Sequence, residues 1–336
     1  MSASVQPKDR QRTHSAAALS AAPRVRSPAW GYLAAFAAVL ITAAYPAITR
    51  VSVTSTLTPG DLLLFRLGIS GLLFAPYLAL RRRDLTRADW HAALPLSFLH
   101  GWGMAACVLF GLKLAPAAHA AALGPGAIAA WIALIGYLAL GLRVPPLRLA
   151  GIGVITAGVL LLLVATGSGT ASAAMLGGDA LFLAASALGA SYFLYLQRRR
   201  LDPVLGAALV CVTSASIVVP WHILFATSTI ATAPIGELLW QIVVQGVIVG
   251  CLALLALNYA ALSLGSQTLG VLSALVPVLG AFCSQAIAGD ALSFAEGTAI
   301  GVVSLGVAIA ALPEPRPRSI RHFARGVAPL ARSTRA

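Results

Sequence analysis

The chain has 336 residues, of which 59% are hydrophobic and 10% are charged. Because a soluble domain carries about 25% charged residues, this composition excludes an ordinary soluble fold and indicates an integral membrane protein. The net charge of +13 does not indicate nucleic-acid binding, because the basic residues cluster in short loops and tails between apolar runs.

The N-terminal segment, residues 1–28, is rich in Ala, Ser, Arg and Pro and contains one acidic residue, Asp9. It lacks the apolar core that a signal peptide requires. We interpret it as a disordered cytoplasmic tail, with an organellar transit peptide as the alternative. A second basic segment, residues 313–336, is predicted to be a cytoplasmic tail at the C-terminus.

Between the tails lie ten apolar runs, each close to the roughly 20 residues that a helix needs to cross the hydrocarbon core of a bilayer. The predicted fold is therefore all-α and membrane-integral, with ten transmembrane helices joined by short connections. The predicted spans are 30–52, 60–80, 92–112, 119–140, 147–166, 177–197, 204–226, 238–262, 267–288 and 294–312.

Three of these spans have recognisable start signals. Thr58 and Asp202 each precede a proline, which combines a capping side chain with the residue favoured at the first helical position. Ser293 is followed three residues later by Glu296, the spacing of a capping box. We therefore interpret these acids as helix caps rather than as coupling residues.

The basic residues are distributed asymmetrically. With the N-terminus inside, every Lys and Arg except Arg50, Arg66 and Lys113 falls on the cytoplasmic side. Arg50 and Lys113 then lie outside, and Arg66 lies within the second span. The positive-inside rule thus predicts a multi-pass protein of the inner (cytoplasmic) membrane with both termini in the cytoplasm.

The chain also contains an internal repeat. Residues 29–166 and 167–312 each hold five spans, and Gly158 corresponds to Gly306 at a separation of 148 residues. Because five is an odd number, the second repeat must enter the membrane in the opposite orientation. Inverted repeats characterise secondary transporters, whose substrate site lies near the midplane between the repeats.

Several motifs, taken in order, resemble the drug/metabolite transporter (DMT) superfamily in its EamA-type ten-helix branch. Residues 115–162 contain an Ala-Pro-x-x-His run, Leu-Gly-Pro-Gly, a Leu-Gly-x-Arg turn and a Gly-x-Gly-x4-Gly helix. A Leu-Leu-Phe-Arg sequence ends at Arg66, and the second half has Val-Pro-Val before the turn at Asp290. The resemblance spans about residues 30–312. It implies export or exchange of small metabolites, amino acids or drugs across the cytoplasmic membrane.

The turn of the first half departs from the family pattern. Leu142 stands where a glutamate is usual, and Ala129 stands where a proline is common. Asp290 replaces the usual glutamate of the second half conservatively. The role of the turn acid is therefore not carried over to the first half.

Polar and aromatic side chains at membrane depth are the candidates for substrate contact, because burying them there is costly. His100 and Gln245 occupy equivalent repeat positions, as do Tyr45 and Tyr192. For both pairs, cavity lining and helix–helix contact remain open. The remaining candidate substrate-binding residues are Arg66, Trp102, His119, Trp131, Asn258 and Tyr259.

Arg66 has three open interpretations: it extends to the membrane surface, meets a carboxylate, or contacts a substrate anion. No carboxylate falls near the middle of a span. A proton relay through a central acid is therefore not expected. If transport is proton-coupled, His100 or His119 is the better candidate, because imidazole titrates near neutral pH. Facilitated diffusion and exchange remain open.

The sequence thus predicts a secondary transporter that moves a small metabolite, amino acid or drug-like compound by alternating access, with export favoured and no cofactor or metal. The alternatives are an integral membrane enzyme and a non-coupled channel or scaffold. Scattered histidines and short loops disfavour the enzyme, and no span carries the continuous polar stripe of a channel. The expected partners are the substrate and the bilayer, and both a monomer and a homodimer fit the sequence.

Overall fold

The computed structural model describes residues 28–83, 85–141, 144–167, 173–199, 202–264 and 266–312. Within these residues there are helices and no β-strand, and ten helical stretches are long and apolar enough to cross a membrane. The predicted all-α fold with ten spans is confirmed, and the chain is a multi-pass membrane protein. The two predicted tails lie outside the described residues, except for residue 28, which begins the first helix.

The spans are numbered α1 to α10 in chain order. Those of the first half are α1 (Pro28–Ser55), α2 (Pro59–Leu64, Phe65–Ile69 and Ser70–Arg81), α3 (Arg87–Leu96, Ser97–Gly101 and Trp102–Leu114), α4 (Ala117–Leu140) and α5 (Pro146–Gly167). Those of the second half are α6 (Ala173–Arg199), α7 (Pro203–Phe225), α8 (Ile235–Gln241, Ile242–Leu252 and Ala253–Leu264), α9 (Ser266–Ser273, Leu275–Cys283 and Ser284–Ala288) and α10 (Phe294–Ala311).

The three predicted caps are confirmed. Thr58 and Asp202 cap α2 and α7, and Ser293 forms a reciprocal capping box with Glu296 at the start of α10. A further box, between Thr86 and Asp89, starts α3 at Arg87 rather than at the predicted residue 92. The short polar stretch before the apolar run is helical because this box satisfies the first amide groups.

Four of the spans contain a π-helical segment, which is the middle segment given above for α2, α3 and α8 and the last one for α9. Three polar candidates lie in these segments: Arg66 in α2, His100 in α3 and Gln245 in α8. π-helical turns often occur at functional sites, because the wider turn re-aims side chains. The sequence patterns did not indicate these segments.

Helices α5 and α10 pack closely through glycine. A Cβ atom at Gly158 would lie 2.7 Å from the side chain of Val303, and one at Gly306 would lie 2.6 Å from the backbone nitrogen of Ile155. These contacts are reciprocal, since Ile155 and Val303 are separated by the same 148 residues as the two glycines. Small residues at such positions allow membrane helices to approach closely.

The main helix contacts are also reciprocal between the first five and the last five helices. Helices α3 and α4 pack against α6, and their counterparts α8 and α9 pack against α1. Helix α2 packs on its counterpart α7, and α5 packs on its counterpart α10. This arrangement is the one that two equivalent five-helix units would give when packed face to face.

The two ends of the bundle differ in charge. One end, called the arginine end, carries Arg81, Arg82, Arg83, Arg87, Arg198 and Arg199, with Asp89 and Asp202 as its described acids. The other, called the carboxylate end, carries Asp61, Asp179, Glu237, Asp290 and Glu296, with Arg50 and Lys113 as its described bases. The α1–α2, α3–α4, α7–α8 and α9–α10 connections all lie at the carboxylate end.

Candidate functional site

A cavity of about 330 Å³ lies inside the bundle, between helices of both halves. Its lining residues come from α1, α2, α3, α4, α6, α8 and α9, and most are apolar. Predominantly apolar walls with a few polar groups are typical of small-molecule sites. The polar and aromatic side chains of its wall are Thr42, Tyr45, Arg66, His100, Phe182, Phe193 and Ser273.

Arg66 supplies the positive charge in this wall. Its guanidinium carbon lies 5.4 Å from the centre of the Tyr45 ring, which is cation–π distance. Its Nη1 nitrogen is buried and has no hydrogen-bond partner. Among the described residues no carboxylate lies within ion-pair distance of Arg66. The interpretation that Arg66 meets a carboxylate of the protein is thus not realised in this part of the chain.

His100 is held in the wall by aromatic stacking. Its ring lies 4.3 Å from that of Tyr192, centre to centre, with an angle of 17° between the planes. Its Nδ1 atom is buried and has no hydrogen-bond partner. Tyr192 itself is buried behind His100 and does not line the cavity. Of the predicted residues Tyr45, Arg66, His100 and Tyr192, the first three line the same cavity. Tyr192 packs behind His100 and holds its ring in position.

Gln245 occupies a different environment from His100, its counterpart in the repeat. It is fully buried, and its Nε2 donates to Thr49 Oγ1 at 2.7 Å and to Gln241 Oε1 at 3.3 Å. Gln241 Nε2 in turn donates to Ser52 Oγ at 2.6 Å, and Ser52 donates to Glu237. Gln245 therefore belongs to a polar ladder between α1 and α8 rather than to the cavity wall.

The structure places His119 among carboxylates. The imidazole is fully buried, with Nδ1 2.8 Å from Asp179 Oδ1 and Nε2 3.3 Å from Glu296 Oε1. It connects α4, α6 and α10 and does not line the cavity. Glu296 therefore has two roles, since it caps its own helix and also faces His119.

The other predicted residues lie away from the cavity. Trp102 and Trp131 are half-buried, and Trp102 packs against Phe98 with ring centres 4.8 Å apart. Tyr259 lines a surface groove between α1 and α8 together with Trp30. The side chain of Asn258 lies outside the described part of the structure.

Two further polar clusters lie at the carboxylate end. Asp290 Oδ1 accepts a hydrogen bond from Arg50 Nε at 2.7 Å, and its Oδ2 accepts from the backbone nitrogen of Ala117 at 3.0 Å. Arg50 also donates to the carbonyls of Leu112 and Ala115, both at 2.6 Å. Asp290 thus joins the α9–α10 turn to α1 and to the start of α4.

Asp61 is the centre of the second cluster. It accepts hydrogen bonds from Ser228 at 2.7 Å and from the Thr229 backbone nitrogen at 3.1 Å, and it lies 2.8 Å from His222 Nε2. This cluster joins α2 to α7 and to the α7–α8 connection. Sequence reasoning identified the cap at Thr58 but not these partners, which lie more than 160 positions away along the chain.

The clusters and the cavity are arranged in the same order along six helices. On α1 the cavity is lined by residues up to Pro46, and the ladder and the ion pair begin at Thr49. On α8 the order is the same, with the ladder ending at Gln245 and the lining beginning at Val249. Helices α2, α4, α6 and α9 repeat this order. Four polar clusters therefore lie between the cavity and the carboxylate end.

Comparison with known proteins supports the sequence resemblance. Residues 29–164 match the model of the EamA-like transporter family. Thirteen chains of solved structures match the chain. One of them, described as a crystal structure of a protein, has a TM-score of 0.57 and 22% identity and covers 83% of this chain and 95% of its own. At that identity the likeness shows the fold. No curated protein matches the chain.

Proposed function

We propose that the chain is a secondary transporter of the drug/metabolite type that works by alternating access, and the match of residues 29–164 to the EamA-like transporter family supports this proposal. The predicted EamA resemblance is confirmed over those residues. The substrate is a small molecule, and the lipid bilayer surrounds the ten apolar helices. The remaining details proposed below concern direction, orientation and mechanism.

The observation that supports this mechanism is a central cavity with polar clusters between it and one end of the bundle. The cavity draws its wall from both halves, as expected for a site at the interface of inverted repeats. Toward the carboxylate end lie hydrogen-bonded clusters that join helices of both halves, and we propose that they act as a gate. Breaking these clusters together is a discrete change, which suits two alternating states rather than a continuously open pore.

The charge of the two ends supports an orientation. The positive-inside rule places the arginine end in the cytoplasm and the carboxylate end outside. The described conformation is then closed to the outside, with the Arg50–Asp290 pair as one part of the outer gate. We further propose the cytoplasmic membrane as the location, with both termini in the cytoplasm.

Export is the proposed direction, and it is supported by the family resemblance. The direct test compares external metabolites from cells that lack and cells that overproduce the protein, with and without a protonophore. A compound that accumulates outside only with the protein supports export, and its sensitivity to the protonophore reports proton coupling. Accumulation inside the producing cells would reverse the direction. No difference in any direction would count against transport of the compounds measured.

Cysteine accessibility tests orientation and gating. Thr42 lines the cavity. A Thr42→Cys variant without the four native cysteines should react with an impermeant thiol reagent in inside-out vesicles but not from outside. Adding Asp290→Asn should increase labelling from outside, because the outer gate loses its ion pair. Equal labelling from both sides in the parent variant would favour a channel instead.

A further inference from the structure

We infer that the cavity binds a carboxylate-bearing small molecule with an apolar body, and that Arg66 is the group that recognises the carboxylate. This inference rests on the proposed transport function and names the substrate class of the same site. The observations that support it are the charge, the partners and the wall chemistry of the cavity.

The cavity contains a cation without a counter-ion from the described part of the chain. Arginine stays charged at all physiological pH values. A buried charge is stable only when it is paired or hydrogen-bonded. Arg66 instead leaves one guanidinium nitrogen buried and unpartnered at the cavity wall, and its guanidinium carbon lies over the Tyr45 ring. The vacant hydrogen-bonding capacity is therefore suited to an anion.

The acidic residues of the described chain are used elsewhere. Five of them bind partners at the carboxylate end: Asp61, Asp179, Glu237, Asp290 and Glu296. The other two, Asp89 and Asp202, cap helices at the arginine end. None of these seven residues lines the cavity. A cationic compound would therefore find no countercharge in this wall. It would also face Arg66.

The number of polar groups restricts the anion further. One arginine lines the cavity, so a group with a single negative charge is matched better than a doubly charged phosphate. His100, which lines the same cavity, has a second buried nitrogen without a partner, Nδ1, and in the tautomer that carries a proton there this nitrogen is a donor. A carboxylate has two oxygen atoms for such donors. The rest of the wall, including Met104, Val108 and Phe182, is apolar and suits an apolar body.

The wall also bears on whether the ligand carries an amino group. Pro46 and Pro125 line the cavity, and each lacks the N–H that would bond the carbonyl four residues earlier. Those carbonyls belong to Thr42 and Ala121, which also line the cavity. An amino acid and a simple carboxylate share the recognised group. The test therefore includes both.

Thermal unfolding of the purified full-length chain in detergent measures binding, because a ligand of the native state raises Tm. The probes are 3-phenylpropionate, its amide, 3-phenylpropylamine and L-phenylalanine. We expect the two carboxylates to raise Tm and the amide and amine not to do so. A larger effect of phenylalanine would assign a role to the ammonium group, and an equal or smaller effect would assign the simple carboxylate.

Substitutions of Arg66 test whether this residue recognises the carboxylate. Arg66→Gln should weaken carboxylate binding roughly 10- to 100-fold, the range for a hydrogen bond to a charged group. Arg66→Lys keeps the charge but not the planar fork, so it should still prefer carboxylates with an intermediate affinity. This variant keeps the test valid if Arg66→Gln does not fold. Arg82→Gln, at an exposed position of the arginine end, is the matched control and should bind as the parent does.

Binding and flux separate this inference from the proposed function. The inference is overturned if the amide or amine binds as well as the carboxylate, if Arg66→Gln binds unchanged, or if no carboxylate probe binds. Flux of the same probes in proteoliposomes tests transport separately. Arg66-dependent binding without flux would leave the site intact and remove the transport function. Flux of an amine with no carboxylate binding would support the transport function and overturn the carboxylate site.

Discussion

The carboxylate end and the cavity both contain buried polar groups, but the charged groups differ in their partners. At the carboxylate end each charged centre has partners, as when Asp290 accepts from Arg50 and from the start of α4. In the cavity, Arg66 and His100 each leave a buried nitrogen without a partner. Single buried atoms without a hydrogen-bond partner also occur in the clusters, at Gln245 Oε1, His119 Nε2 and Asp179 Oδ2. What distinguishes the cavity is a charged group, Arg66, with no opposite charge beside it among the described residues. The difference separates a gate from a binding site.

The largest expected effect tests the partnered region. Asp290→Asn leaves the partly buried Arg50 without its counter-ion, so the free energy of unfolding should fall by about 3 kcal/mol. The measurement is thermal or denaturant unfolding in detergent. Asp202→Asn is the matched control and should be nearly neutral, because asparagine caps helices about as well as aspartate.

A double variant sharpens this result. Arg50→Gln combined with Asp290→Asn should destabilise by less than the sum of the single changes, because both remove the same ion pair. Strict additivity, or an equal loss in Asp202→Asn, would contradict the idea that this end is held by its charged clusters.

An intermediate effect is expected in the cavity. His100→Phe keeps a ring against Tyr192 and removes the buried nitrogen, so stability should change little while the transport rate falls about tenfold, a loss of about 1.4 kcal/mol in binding. Initial rates of flux in proteoliposomes measure this. His91→Phe, at an exposed position of the same helix, is the control. Unchanged flux in the His100 variant would remove it from the site.

The smallest effect is expected for the repeat counterpart of His100. Gln245→Leu removes hydrogen bonds to Thr49 and Gln241, which in membranes contribute about 0.6 kcal/mol each. The variant should unfold slightly more easily, while the KM for transport stays constant. A raised KM would show that Gln245 contacts the substrate, and the distinction between ladder and cavity would then be lost.

The predicted pairing of repeat positions shows how much of the site could be inferred from the sequence. Sequence reasoning paired His100 with Gln245, and the structure places each of them in a π-helical segment. The pairing did not indicate that one faces a cavity and the other a neighbouring helix. Spacing along a helix fixes the face on which a residue lies. The residues opposite that face come from another part of the chain.

By itself the sequence determined the ten apolar spans, the caps at Thr58, Asp202 and Ser293, and the uneven distribution of basic residues among the connections. These follow from local hydropathy, from hydrogen bonds within one helical turn and from the composition of the loops. Only the tertiary structure decided that Asp290 binds Arg50, 240 positions away, and that Arg66 lines the cavity without a carboxylate. The reason is physical: such pairings depend on which helices pack together, and helix packing is a property of the whole bundle.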